Sequence, residues 1–456
     1  MNRLLLLIFS LLVIPQAFAA PDVWLQAGQP DWKVVPLLNV GENVQGYRLV
    51  GVPDGLGTML DKDGRLSIFM NHELAADKGI KRRHGARGAF VSHWILDIDS
   101  LKVVSGEDWI RKVMLWNGDG FVEHPSVALN RLCSADLPVI PALFNPASGK
   151  GFDGRLFLNG EEDKAGGRAF AHVVSGDQAG TSYELPHLGK IAWENVVANP
   201  ASGDMTLVMG MDDTPGGQVY VYIGQKQFRG GPVAQAGLLG GALHAVKAEG
   251  ERFRLATLGD VAGMDAATLE KASREAGATA FMRPEDGAWD TRDPRVFYFS
   301  TTDKIDGSSQ LFRMVFDDLA HPEQGGSIQA VLNARDIGAQ MFDNLTVNGD
   351  GEVMIEEDPG DNPHMAGIWK FDPVSGKAER VASVSPSRFG DKTSTSFVTQ
   401  DEENSGIIEI TSLLSQAPWF KPGRRYYLGV LQVHALSQDQ ELVEDGQLYL
   451  LEGPAR

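Results

Sequence analysis

Six times along this chain a short apolar run ends in polar, mostly acidic residues. The runs are LSIFMNHE (66–73), RLFLNGEED (155–163), MTLVMGMDD (205–213), VFYFSTTD (296–303), EVMIEED (352–358) and YYLGVLQVH (426–434). Oxygen donors in such numbers suit a hard cation, calcium first. One acidic pair, such as Asp212 and Asp213, is by itself an ordinary solvated turn. The argument rests on the set of six.

A second group of polar residues precedes several of these runs: Asp54, Glu194, Arg283 with Glu285 and Asp286, and Asp343 with Asn344. In an antiparallel hairpin the start of the first strand lies beside the end of the second. This pairing predicts Asp54 near Asn71, His72 and Glu73, and Glu194 near Asp212 and Asp213. It also predicts Arg283 and Glu285 near Asp303, and Asn344 near residues 356–358. Carboxylates at that density repel one another unless cations neutralise them. Asp401, Glu402 and Glu403 read either as part of the same rim or as a solvated loop, and His434 as a hydrogen-bonded strand histidine. Cys133 is the only cysteine, so no internal disulfide forms; by itself it reads as apolar filler, a metal ligand or an oxidation liability.

The elements that carry these residues read as strands. Four or five apolar residues bounded by turn residues make a buried strand. A strand, turn, strand, turn, strand unit recurs at 188–224, 281–316 and 341–371, with hairpin turns at 61–64 and 348–351. Repeated antiparallel units of this kind point to an all-β fold, a six-bladed β-propeller with loop and short helical insertions, in preference to a large sandwich. The one clear helical pattern is MDAATLEKASREAG (264–277), with Asp265 as cap and Gly277 as stop. In a propeller the equivalent strand ends share one rim, so the six polar sets are expected to converge at the mouth of the channel.

Residues 1–19 read as a secretory signal peptide: Arg3, an apolar stretch over 4–14, and Ala17-Phe18-Ala19 as cleavage site. The expected product is one propeller domain over 20–456, periplasmic or secreted and monomeric, without a membrane span after cleavage. Residues 1–19 hold no twin-arginine pair, which favours the general secretory route. A formal net charge of −19 argues against nucleic acid as partner.

Taken together, FMNHE (69–73), LCSADLP (132–138), LFLNGEE (156–162), RPEDG (283–287), DNLTVNGDG (343–351), EEDPG (356–360) and DEENSG (401–406) resemble the PhoX-type alkaline phosphatase family. The resemblance implies a calcium and iron cluster on the propeller axis and a small phosphorylated substrate. It implies Cys133 as a thiolate ligand, Glu73, Glu162, Glu194, Glu285 and Glu357 as carboxylate ligands, and Arg283 as the phosphate contact. Asn344 joins Arg283 as an expected catalytic residue. Two other functions fit the same residues: a calcium-dependent lactonase or esterase that does not need Cys133, and a non-catalytic binding propeller held together by calcium.

Overall fold

The computed structural model of the chain describes residues 24–456; the expected signal peptide lies outside the described residues. All six apolar runs are strands: Leu66–His72, Leu156–Val173, Met205–Asp212, Val296–Thr301, Val353–Glu357 and Arg424–Val433. Their largely apolar character has a structural cause. Leu66–His72 is buried at every position. Leu66, Ile68 and Met70 join a cluster with Leu428 and Leu450, while Phe69 joins another with Phe157 and Phe170. A strand covered on both faces does not need polar alternates, and the one within this run, Ser67, is hydrogen-bonded to His93.

Each of these strands pairs with an innermost strand: Pro53–Leu60, Leu132–Asp136, Lys190–Ala198, Pro284–Trp289, Phe342–Val347 and Glu402–Glu409. Every inner strand packs against the next, and the sixth against the first. Six apolar clusters fill the six gaps between neighbouring blades. The fold is a six-bladed β-propeller, as expected. The packing leaves little slack: a Cβ on Gly160 would lie 2.2 Å from the Trp193 Cβ.

The last blade is completed from the other end of the chain. Lys33–Asn39 is its outermost strand, antiparallel to Asp445–Pro454, with Val34 opposite Leu451. Leu25–Ala27 adds an edge to the fifth blade alongside Lys377–Val384. The second blade departs from the simple repeat. Its outer strand Lys112–Trp116 comes before its inner strand and pairs in parallel with Thr181–Glu184. Hydrogen bonding also crosses from blade to blade, from Leu156–Val173 to Lys190–Ala198 and from Arg252–Gly259 to Gly326–Asn333.

The helix read from the sequence is Ala266–Glu275. Asp265 caps it by accepting from Thr268 N, and Gly277 follows it with φ 80°. No described helix is long and apolar enough to cross a membrane.

Candidate metal centre

Every inner strand carries one residue more than its partner, in blades one to five at the same place. Pro53 and Leu56 face His72 and Met70, and Leu132 and Ala135 face Glu161 and Asn159. Trp193 and Val196 face Asp212 and Gly210, and Pro284 and Gly287 face Thr301 and Phe299. Phe342 and Leu345 face Glu357 and Ile355, and Asn404 and Gly406 face Leu431 and Val430. An extra residue of this kind is a β-bulge, which re-aims side chains. Asp54, Cys133, Glu194, Glu285 and Asp343 all sit inside such bulges, and Glu403 directly precedes the sixth. Blades one to five thus each aim one such side chain at the axis, and blade one adds Glu73.

These donors gather into two groups. Ligand atoms of Asp54, Glu73 and Cys133 lie within 4.8 Å of one another, and so do those of Glu194, Glu285 and Asp343. The first group mixes carboxylates with sulfur, whereas the second is all oxygen. Both fit a cation. Among the described residues Glu285 Oε1 is buried without a hydrogen bond, its nearest cation being Arg283 Nη2 at 3.4 Å. Beneath the donors lies a hydrogen-bonded floor. Ser134 Oγ donates to Glu194 Oε1 (2.6 Å) and accepts from Asn344 Nδ2. Gln432 Nε2 donates to Asp54, Glu73 and Ser405.

Burial, and after it crowding, sets the protonation. Burial, then the charges of Glu73 and Glu194, hold the Asp54 carboxyl well above its ordinary value. Burial followed by neighbouring carboxylates does the same for Glu285 and Asp343. Burial pushes Glu194 up to about 8, against hydrogen bonds from Ser134 and Cys133. The Cys133 thiol is raised by burial, then by Asp54 and Glu194. Without a cation the ring holds protons; a bound cation replaces them.

Two arginines flank the ring. Burial raises Asp213, but the Arg283 fork outweighs it and holds the carboxyl below its ordinary value. The fork is made by Nε to Oδ1 (2.7 Å) and Nη2 to Oδ2 (2.8 Å). Arg131 reaches Glu73 Oε1 from Nη2 (2.6 Å) and donates to Glu162 Oε2 from Nε (3.0 Å). A cavity of about 580 Å³ opens beside the ring, lined by Glu73, Arg131, Asp358, Glu403, His434 and Glu444 among others. On the far side of the floor, all six inner strands wall a channel of about 1100 Å³.

Of the residues named from sequence, Glu73, Cys133, Glu194 and Glu285 lie in the two groups, with Arg283 beside the second. Glu162 lies at the edge, held by Arg131. Asn344 is in the floor. Glu357 is turned into its blade, where its oxygens accept from Gln340 N, His364 Nε2 and Trp369 Nε1. His434 is hydrogen-bonded to Glu444 (2.6 Å). Asp343 and Asp54 complete the two groups although the expected ligand set omits them. Arg131 was also missed; its one sequence signal is that it stands two residues before Cys133, as Arg283 stands two before Glu285.

No protein-family model matches the chain. The curated proteins compared contain no match either. Solved structures do match. That of Pseudomonas fluorescens PhoX in complex with vanadate, a transition-state analogue, has a TM-score of 0.65 at 11% identity. The match covers 94% of this chain and 96% of that one. The likeness shows the propeller fold over nearly the whole chain. The soluble aldose sugar dehydrogenase of Escherichia coli matches at 12% identity over 92% of this chain and 99% of its own, with a TM-score of only 0.36.

Proposed function

We propose that the chain is an exported, metal-dependent phosphoesterase. The observation that carries the reading is the juxtaposition of an all-carboxylate donor group with the half-buried Arg283 fork, in a ring whose other group reaches an open cavity through Glu73. The likeness to PhoX with bound vanadate supports it. Glu194, Glu285 and Asp343 would hold calcium, whose ligands are oxygen. Asp54, Glu73 and the Cys133 sulfur would hold a softer ion such as iron. Bound there, the cations would neutralise phosphoryl oxygens and polarise the phosphorus.

The chain's own residues would do the rest. Arg283 would donate to phosphate oxygens, with Asp213 fixing the guanidinium plane from behind. Ser134 and Asn344 would hold Glu194 in place from the floor. The cavity would admit a small phosphorylated substrate from the rim. Elemental analysis of the purified protein, followed by hydrolysis of a chromogenic phosphomonoester with calcium and iron supplied, tests the reading. Calcium with iron and turnover are expected. Fully metallated protein that is inert toward phosphomonoesters and phosphodiesters would overturn it.

A further inference from the structure

We infer that Arg131 is a second anion contact of this site and favours a phosphomonoester dianion over a phosphodiester. The inference rests on the phosphoesterase reading and deepens it. Its basis is an equivalence between blades. Arg131 and Arg283 each stand two residues before the donor of their inner strand, Cys133 and Glu285. Both have left-handed backbone, with φ of 44° and 59°. Val52 and Met341 occupy the same place in blades one and five with φ of 52° and 44°, so the conformation belongs to the repeat. A β-branched or long residue in that region is strained, and holding it there requires the surrounding structure. The Arg131 backbone is fixed accordingly: its N–H donates to Leu74 O (3.0 Å) and its carbonyl accepts from Glu162 N (2.8 Å).

The side chains match as well. Each arginine reaches back to the acid that follows the second strand of the preceding blade, Glu73 for Arg131 and Asp213 for Arg283. Each uses its Nε and Nη2 edge, and among the described residues neither Nη1 has a hydrogen-bond partner. The Arg131 side chain is 47% exposed and lines the cavity; that of Arg283 is 27% exposed. Two guanidinium groups therefore flank the third blade, each with one amino group unused. A phosphomonoester dianion offers three unesterified oxygens and two charges to such a pair. A diester offers two oxygens and one charge, and so gains less from the second arginine.

The test uses the full metal-loaded protein, with inorganic phosphate as probe in calorimetric titration. Arg131→Gln is expected to weaken phosphate binding about 10- to 100-fold, the range for a lost charge-assisted hydrogen bond. It should leave calcium and iron content unchanged and lower the monoester-to-diester ratio of kcat/KM. Arg131→Lys keeps the ion pairs and the fold but lacks the fork, and should recover only part of the affinity. Arg131→Gln that binds phosphate as the parent does, or that loses metal together with phosphate, overturns the inference alone. Full affinity in Arg131→Lys overturns it too. Parent protein that is metal-loaded yet binds no phosphate overturns the phosphoesterase reading itself, and this inference with it.

Discussion

Stripping cations from the ring should turn rising pH against the fold. Glu194 is raised from 4.5 to about 8 in the folded chain, by burial first. Below about 4.5 it is protonated in both states. Between there and about 8 the unfolded chain gives up the proton and the folded chain keeps it, so stability falls as pH rises. Above about 8 the loss is complete. At about 1.4 kcal/mol per pKa unit, Glu194 alone contributes on the order of 5 kcal/mol over that window. For a chain of this size that is roughly 1 °C per kcal/mol, hence about a 5 °C fall in Tm. Asp358, also raised to about 8, adds in the same direction. Calcium should reverse the trend, because its donors bind as carboxylates. Scanning calorimetry from pH 5 to 9, with chelator and with calcium, should show a gap in Tm that widens with pH. Glu194→Gln should flatten the slope in chelator. A chelated parent whose Tm is level across this range, or a gap that narrows, refutes the reasoning.

Glu357→Gln should leave metal content unchanged by elemental analysis yet lower Tm, because the carboxylate serves Gln340, His364 and Trp369 and not the ring. Cys133→Ser should lower iron content while calcium stays, since sulfur belongs to only one of the two donor groups. Arg283→Lys should cut kcat/KM for a phosphomonoester by about 10-fold or more, because an ammonium cannot reproduce the fork. Gly160→Ala, which presses on the Trp193 Cβ between blades two and three, should cost about 1–3 kcal/mol in denaturant unfolding with the donors untouched.

The second strands were legible because burial on both faces writes a largely apolar run, as in LSIFM at 66–70. The blade closure was not, since nothing local in KVVPLLN at 33–39 points to a partner more than 400 residues away. The site was half legible for a related reason. Convergence followed from hairpin geometry, and it placed Glu194 and Glu285 correctly beside the axis. The choice among neighbours did not follow. In EED at 356–358 alternation sends Glu357 to one face of the strand and its neighbours to the other, and sequence does not say which face looks inward. The bulges compound this, because an extra residue shifts the alternation in every inner strand and leaves no residue type as its mark. Asp54 and Asp343 were visible as polar strand starts; that they join the two groups depends on those bulges.

The clasp between Lys33–Asn39 and Asp445–Pro454 closes a ring without supplying any of its clustered donors. Asp54, Glu73 and Cys133 come from blades one and two, and Glu194, Glu285 and Asp343 from blades three to five, so neither group draws on the sixth. What the sixth blade gives is Gln432, whose amide holds Asp54 and Glu73 in place. The strand pair that shuts the ring thus lies in the one blade that steadies the donors without adding to them.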